Sequence, residues 1–251
     1  MSHEPAAHSG ATLAAEPPPT DSRARCALAC GWASGNVTLY NADCLAVLPQ
    51  LTGIDAVITD PPYGIADCWK GGGGHGWNNA REDTAARNEW DAAAPDKAAF
   101  DMMRAIGAVQ VFWGGNYFPL PVSRGWLVWN KPERGFTLSE AELAWTSRAM
   151  PMRVYDYRRS DPDREHPTQK PVALMAWCME KVKVPDGATV LDPYMGSGTT
   201  GIACIRTGRK FVGIEKDPAH YKTALDRIQR ELSQGDLFLD SPNHSISHHE
   251  K

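Results

Sequence analysis

The chain has 251 residues, 42% of them hydrophobic, which is enough for one large α/β domain with small insertions and too few for two full domains. Its 26 basic and 30 acidic residues nearly balance, so the sequence as a whole lacks the electrostatic signature of nucleic-acid binding, and any such partner is left to a local basic surface. The six cysteines (Cys26, Cys30, Cys44, Cys68, Cys178, Cys204) show no metal spacing, and no signal peptide or membrane-length apolar run precedes them. The sequence therefore reads as a cytoplasmic protein with reduced thiols, no metal and no membrane segment.

Residues 1–33 read as a disordered leader, rich in Ala, Pro, Ser and His and without periodicity. The folded domain is expected over 34–234, followed by a flexible tail over 235–251. Val37, Thr38, Leu39 and Tyr40 form a short strand, and residues 44–51 a short helix ending near Pro49. The apolar run Ala56, Val57, Ile58, Thr59 is a buried strand that stops at Asp60-Pro61-Pro62-Tyr63, because the double proline cannot continue a ladder. An acid and an aromatic thus stand at the carboxyl end of a strand, the edge where open α/β sheets carry out ligand chemistry. Residues 64–91, with four consecutive glycines at 71–74 and His75, read as a mobile loop, either a lid or DNA-contacting arm or a plain surface insertion.

A helix is expected over 95–106 with Phe100, Met103 and Ile106 on one face, and strands over 109–113, 125–130 and 141–146. Residues 148–165 form an excursion in which Arg148, Arg153, Arg158, Arg159 and Arg164 interleave with Tyr155 and Tyr157, a composition suited to gripping phosphates and stacking on bases. Asp156, Asp161, Asp163 and Glu165 offset much of that charge, so a solvated, salt-bridged excursion is the competing reading. A helix follows over 172–182, then a strand over 189–192, a glycine turn, a helix to about 207 and a strand over 210–214 ending at Glu215. Asp217 caps a last helix that opens on Pro218 and buries a stripe of Tyr221, Leu225, Ile228 and Leu232.

Asp192 to Thr200 has the form of a nucleotide-cofactor loop: strand, Gly196-Ser197-Gly198 turn, helix N-terminus. Glu215, at the end of the next strand, is placed to accept hydrogen bonds from ribose hydroxyls. Thr199 and Thr200 follow the second glycine, and the reading takes no third glycine to fill the helix-packing position, which disfavours a dehydrogenase.

Asp-Pro-Pro-Tyr at 60–63, His-Pro-Thr-Gln-Lys-Pro at 166–171 and Leu-Asp-Pro-Tyr-Met-Gly-Ser-Gly-Thr-Thr at 191–200 resemble the signatures of S-adenosylmethionine-dependent DNA amino-methyltransferases. The order, catalytic motif first and cofactor motif last, resembles the beta group, and the similarity spans roughly 36–232, including the stretches at 113–118 and 129–131. The resemblance implies a Rossmann-like fold with a mostly parallel seven-stranded sheet, helices on both faces and a circularly permuted motif order. It implies that Asp43 approaches the cofactor's adenine amine, Glu215 its ribose, and Asp192, Tyr194, Gly196, Ser197, Gly198, Thr199 and Thr200 its methionine portion, with Thr168 and Lys170 reaching it from the other side. Tyr194 departs from the Phe often found there. Asp60 and the Pro61 carbonyl would accept hydrogen bonds from the target amine, Pro62 would help fix that loop, and Tyr63 would stack on the flipped base. The substrate implied is duplex DNA and the product N6-methyladenine, because Asp at position 60 is usual for adenine; cytosine N4 is the alternative. Methylation of a protein glutamine, for which Asn would be expected at 60, and a non-catalytic DNA-binding subunit, which would be expected to lose the motif acids or glycines, are the remaining readings. A homodimer and a cognate restriction enzyme are further partners such a chain could take.

Overall fold

A computed structural model describes residues 31–65, 91, 93–134, 139–158 and 169–239, with side chains to residue 234. The glycine-rich stretch with His75, and Arg159, Arg164 and Thr168, lie outside the described residues, as do the leader before residue 31 and the tail beyond 239.

Among the described residues nine strands form one sheet in the order β1-β2-β9-β8-β3-β4-β6-β5-β7. They are β1 Gly31–Ser34, β2 Val37–Asn41, β3 Ala56–Thr59, β4 Val109–Trp113, β5 Gly125–Asn130, β6 Ala141–Thr146, β7 Arg153–Asp156, β8 Thr189–Asp192 and β9 Lys210–Glu215. Among the described residues five helices accompany them: α1 Cys44–Val47, α2 Lys97–Ile106, α3 Val172–Lys181, α4 Thr199–Arg206 and α5 Pro218–Leu239. The central run β2-β9-β8-β3-β4 is parallel throughout, while β6 is antiparallel to both β4 and β5.

Every residue of β3 and β4 is buried, as expected of parallel strands covered on both faces. Ala56, Ile58, Val111 and Trp113 point into a core shared with α3, α4 and α5. Val57, Phe112, Leu191 and Ile214 point the other way, into a core with α1 and α2. β3 leads through α2 to β4 on one side, and β8 leads through α4, on the opposite face, to β9 on the other side. The carboxyl ends of the neighbours β3 and β8 therefore flank the point where the winding reverses, which is where doubly wound sheets open a ligand crevice.

The sheet has nine strands, where seven were expected, and both unexpected strands bear on the sequence reading. β1 occupies residues assigned to the leader and joins β2 through the two-residue turn Gly35-Asn36, Gly35 taking φ +55°. β7 lies inside the arginine-rich excursion and pairs with β5. Both are short and largely exposed at the sheet edges, so neither shows the buried alternation that marks a strand in sequence. Smaller differences have local causes. The helix expected over 44–51 splits into α1 and a 3-10 turn at Leu48–Gln50 containing Pro49. α2 starts at Lys97 because Asp96 caps it, accepting from the Ala99 amide at 2.8 Å. α5 runs to Leu239, five residues into the segment read as a tail.

Candidate active site

The loop read from sequence as the cofactor motif is built on the end of β8. The Asp192 carboxylate accepts hydrogen bonds from the hydroxyls of Thr59 and Thr200, each at 2.6 Å, and from the Tyr194 amide at 3.1 Å. Thr59 is the last residue of β3, so this bond ties the cofactor strand to the strand that carries Asp60. Burial pushes the Asp192 carboxyl up to about 6 in spite of those three donors. The folded protein thus holds this proton more tightly than the unfolded chain, and the group's contribution to stability is greatest below about pH 4 and declines as pH rises through about 6. Asp192→Asn keeps the shape and should flatten that decline, giving a gain on the order of 1–3 kcal/mol at pH 8 relative to pH 4. Thermal melts of both proteins across that range check it, and an unchanged pH slope in the variant would count against it.

After Asp192 the chain turns on Gly196 (φ +50°) and Gly198 (φ +80°) into α4. A Cβ on Gly196 would meet nothing within 4 Å, leaving the backbone there open to a ligand. The Gly196 amide donates to Glu215 at 3.0 Å and the Asp217 amide to its other oxygen at 2.8 Å, while burial pushes the Glu215 carboxyl above its ordinary value. Arg227 fixes Ser197 through its carbonyl and hydroxyl at 2.5 and 3.0 Å. A third glycine does fill the helix-packing position, contrary to the sequence reading: a Cβ on Gly201 would lie 2.7 Å from the Phe211 ring and 2.9 Å from Ile228. Gly196, Gly198 and Gly201 therefore complete the dinucleotide-type spacing, and the case against a dehydrogenase rests on the Asp60 motif alone.

Beside this turn is a recess of about 260 Å³ lined by Asp43, Cys44, Pro193, Tyr194, Glu215 and Lys216, among others. Partial burial works against charge on Asp43, but the Leu45 amide and Lys216 hold its carboxyl below the usual value. The Tyr194 hydroxyl accepts from the Cys44 thiol at 3.3 Å, which supplies the polar partner that a Tyr needs there. The buried Thr199 hydroxyl has no hydrogen-bond partner among the described residues. An open glycine turn, an orphaned hydroxyl, and carboxylates at 43 and 215 fit a nucleoside-bearing group with polar ends.

On the neighbouring strand, Asp60 follows β3 directly. The Tyr63 hydroxyl donates to Asp60 Oδ1 at 2.6 Å and Lys170 Nζ to Oδ2 at 2.6 Å. Lys170 also donates to the Tyr63 hydroxyl at 3.1 Å and pairs with Glu142 Oε2 at 2.9 Å. Lys131 pairs with the other oxygen of Glu142. Burial works against Lys170's charge, yet Asp60 and Glu142 raise its pKa above the ordinary lysine value. Burial and the same two carboxylates push the Tyr63 hydroxyl well up, so it remains a donor. Lys170 was expected to reach the cofactor, but its three N–H groups are spent on Asp60, Glu142 and Tyr63, so it belongs to the acid instead.

Asp91 is buried and pins the loop behind the acid, accepting from the amides of Tyr63 at 2.6 Å, Gly64 at 3.0 Å and Ile65 at 3.3 Å. Tyr117 stacks on Tyr63 with centroids 5.1 Å apart and planes at 22°. Gly114, at φ +69°, backs the same ring so closely that a Cβ would come within 2.2 Å of it. Gly114→Ala should therefore displace Tyr63, combining left-handed backbone strain of about 1–3 kcal/mol with a clash, and should lower turnover at least tenfold in a protein that still folds. Circular dichroism alongside a methylation assay checks this, and full turnover in the variant would count against Tyr63 needing that position.

The three described arginines, Arg148, Arg153 and Arg158, are not brought together. β7 runs parallel to β3 four places along the sheet, so Arg158, after its carboxyl end, shares the edge that bears Asp60, whereas Arg153 at its start and Arg148 after antiparallel β6 lie at the opposite edge. Arg148 is further engaged, its Nε donating to the Val182 carbonyl at 3.0 Å. Tyr155 stacks on Trp177 at 5.0 Å and on Tyr157 at 5.7 Å, so these rings pack within the protein and do not stand out as a base platform. Sequence reasoning missed Asp91 and Glu142, and gave no role to Gly114 and Lys131 although both lie in stretches that carry the resemblance. Glu142 left a signal of its own, a carboxylate inside the largely apolar β6. Among the described residues no cluster of side chains could hold a metal ion, and no helix is long and apolar enough to cross a membrane.

A DNA methylase family model matches residues 113–226. YubD of Escherichia coli K12, which carries a methylase name, is 25% identical over 222 residues, covering 77% of this chain and 92% of its own length. YhdJ of the same organism, named a DNA adenine methyltransferase, is 40% identical over 88 residues, 34% of this chain and 30% of that protein. Among solved structures, the M1.HpyAVI–SAM complex aligns with a TM-score of 0.52 at 22% identity, covering 76% of this chain and 98% of that one. The cytosine-N4-specific PvuII DNA methyltransferase aligns with a TM-score of 0.50 at 14% identity, covering 80% and 93%. The fold is the Rossmann-like fold of class I methyltransferases. Over residues 113–226 the chain is similar to the DNA methylase family of N6/N4 amino-methyltransferases, and over most of its length to a protein that carries a methylase name.

Proposed function

We propose that this protein transfers a methyl group from S-adenosylmethionine to the exocyclic N6 of an adenine flipped out of duplex DNA. The observation that carries the reading is the juxtaposition of Asp60 with the cofactor turn, joined across adjacent strands by the Thr59–Asp192 hydrogen bond. When bound, S-adenosylmethionine supplies an electrophilic methyl on a positively charged sulfur. Asp43 and Glu215 take its adenine amine and ribose hydroxyls, and the 196–200 turn with the free Thr199 hydroxyl takes its methionine portion. A carboxylate has about four acceptor sites, so Glu215 keeps capacity for a ribose while holding two amides.

Asp60 keeps a free lone pair on each oxygen in the same way, and with the Pro61 carbonyl it draws the target amine's hydrogens into hydrogen bonds. The amine's lone pair, otherwise delocalised into the ring, is thereby localised on nitrogen. Asp60 would also accept the proton that the amine sheds on methylation. Tyr63 stacks on the flipped base, offsetting part of the few kcal/mol that flipping costs. Tyr117 covers a face of Tyr63 and is 46% exposed, so it yields that face to the base. Arg158, on the same edge, contacts the DNA backbone.

Adenine is favoured by the carboxylate at position 60 and by the name of YhdJ. Incubation with duplex DNA and S-adenosylmethionine, followed by mass spectrometry of the digested nucleosides, should yield N6-methyladenine. N4-methylcytosine alone would overturn the choice of base, and no methylated nucleoside would overturn the activity.

A further inference from the structure

We propose that Glu142 is a positioning residue for methyl transfer, setting the aim and charge of Asp60 through Lys170. The inference rests on the reading of Asp60 given above.

Lys131, Glu142, Lys170 and Asp60 form a row of alternating charge drawn from four places in the fold: the residue after β5, the second residue of β6, the loop before α3 and the residue after β3. The side chains of Lys131 and Lys170 are only 6% and 5% exposed. Burial opposes charge on Glu142, yet Lys170 and then Lys131 hold its carboxyl down to about 2, so it is ionised at neutral pH. Stability does not call for such a row, because buried ion pairs are commonly replaceable by apolar side chains without loss. A function in the site accounts for it better.

That function follows from what Lys170 does to Asp60. Together with the Tyr63 hydroxyl, its ammonium fixes both carboxylate oxygens and so orients the lone pairs left for the target amine. An ammonium with Asp60 as its sole anion would also withdraw that carboxylate's charge just as positive charge develops on the amine nitrogen. Glu142 takes the opposite side of the same ammonium at 2.9 Å, which leaves Asp60 held in place and still a strong acceptor. Lys131 in turn balances Glu142. Among the described residues, Asp192 also senses Asp60 from the neighbouring strand, and Asp91 sits behind the loop that carries Tyr63.

The test compares wild type, Glu142→Gln, Asp60→Ala and the double variant Glu142→Gln/Lys131→Gln, which restores local charge balance. Single-turnover rates on duplex DNA, KM for DNA, Kd for S-adenosylmethionine and Tm are measured for each. Glu142→Gln should lower the rate at least tenfold while Kd and KM stay within about threefold of wild type. The double variant should recover Tm but not the rate. A rate that recovers together with Tm would reduce Glu142 to a structural charge balance and overturn the proposal, as would a wild-type rate in Glu142→Gln or a parallel loss of cofactor binding. If Glu142→Gln does not fold, the double variant decides alone, its rate read against its own Tm. Asp60→Ala separates the two levels. Wild-type turnover there removes the reading of Asp60 itself, whereas an inactive Asp60→Ala beside a fully active Glu142→Gln removes only the inference about Glu142.

Discussion

Asp60→Ala should lower methyl transfer by about a thousandfold while leaving the affinity for S-adenosylmethionine within about threefold of wild type. The magnitude follows from the proposed role: a fixed acceptor aimed at a group whose positive charge grows during reaction, and removing such an acceptor costs roughly 10²–10³ in rate. In that role the loss should sit at the upper end, because the carboxylate would also accept the departing proton. Cofactor affinity is spared because the recess, the glycine turn and Glu215 are built on β2, β8 and β9, and none of their described hydrogen bonds uses Asp60. Single-turnover kinetics with calorimetry on the same preparation measure both quantities. A variant that transfers methyl groups at the normal rate would refute the assigned role, and one that binds no cofactor would show that Asp60 supports the recess instead.

That separation between two halves of the site also explains which parts of it could be read from sequence. Asp60, Tyr63, Asp192 and Gly196 each sit at the end of a short apolar run closed by proline or glycine, so strand, turn and chemistry fall within a few residues of one another. The central strands share this property because they are buried on both faces and appear as unbroken apolar runs. β1 and β7 do not, and as exposed edges they cannot be told from loop by pattern alone. The same limit governs the charged row. Nothing near Glu142 in sequence announces Lys170, 28 residues away, and Lys170 meets Asp60 across 110 residues only because β6, β4 and β3 are adjacent in the sheet. For the described arginines the composition hid a different limit: a strand runs through the cluster and sends Arg153 and Arg158 to opposite edges. Gly201 was visible in the sequence, and its meaning came only with the Phe211 ring beneath it.

Lys170→Met should cost more stability than any other single change in the site. It removes the cation shared by two carboxylates while leaving both anions in place, and breaking a buried pair in this way costs about 3–5 kcal/mol, or roughly 6–20 °C in Tm for a domain of this size. Its dependence on pH has a definite sign. The folded pKa of Glu142, about 2, lies below its ordinary 4.5, so the stabilisation it gains from its cations is fully present above about pH 4.5 and lost as pH falls through about 2. The folded pKa of Lys170 is raised above 10.5, so its own contribution is fully present below that value and lost only in stronger base. The stability gap between wild type and Lys170→Met should therefore be fully present from neutral pH to about pH 10 and close on acidification as the unpaired carboxylates of the variant take up protons. Denaturant unfolding across that range measures the gap directly. Turnover should fall at least a hundredfold, since Asp60 loses one of the two groups that hold its plane. A variant as stable as wild type and fully active would mean that the ammonium orders nothing, whereas a stability gap with full activity would confine Lys170 to the fold and leave Tyr63 alone to aim the acid.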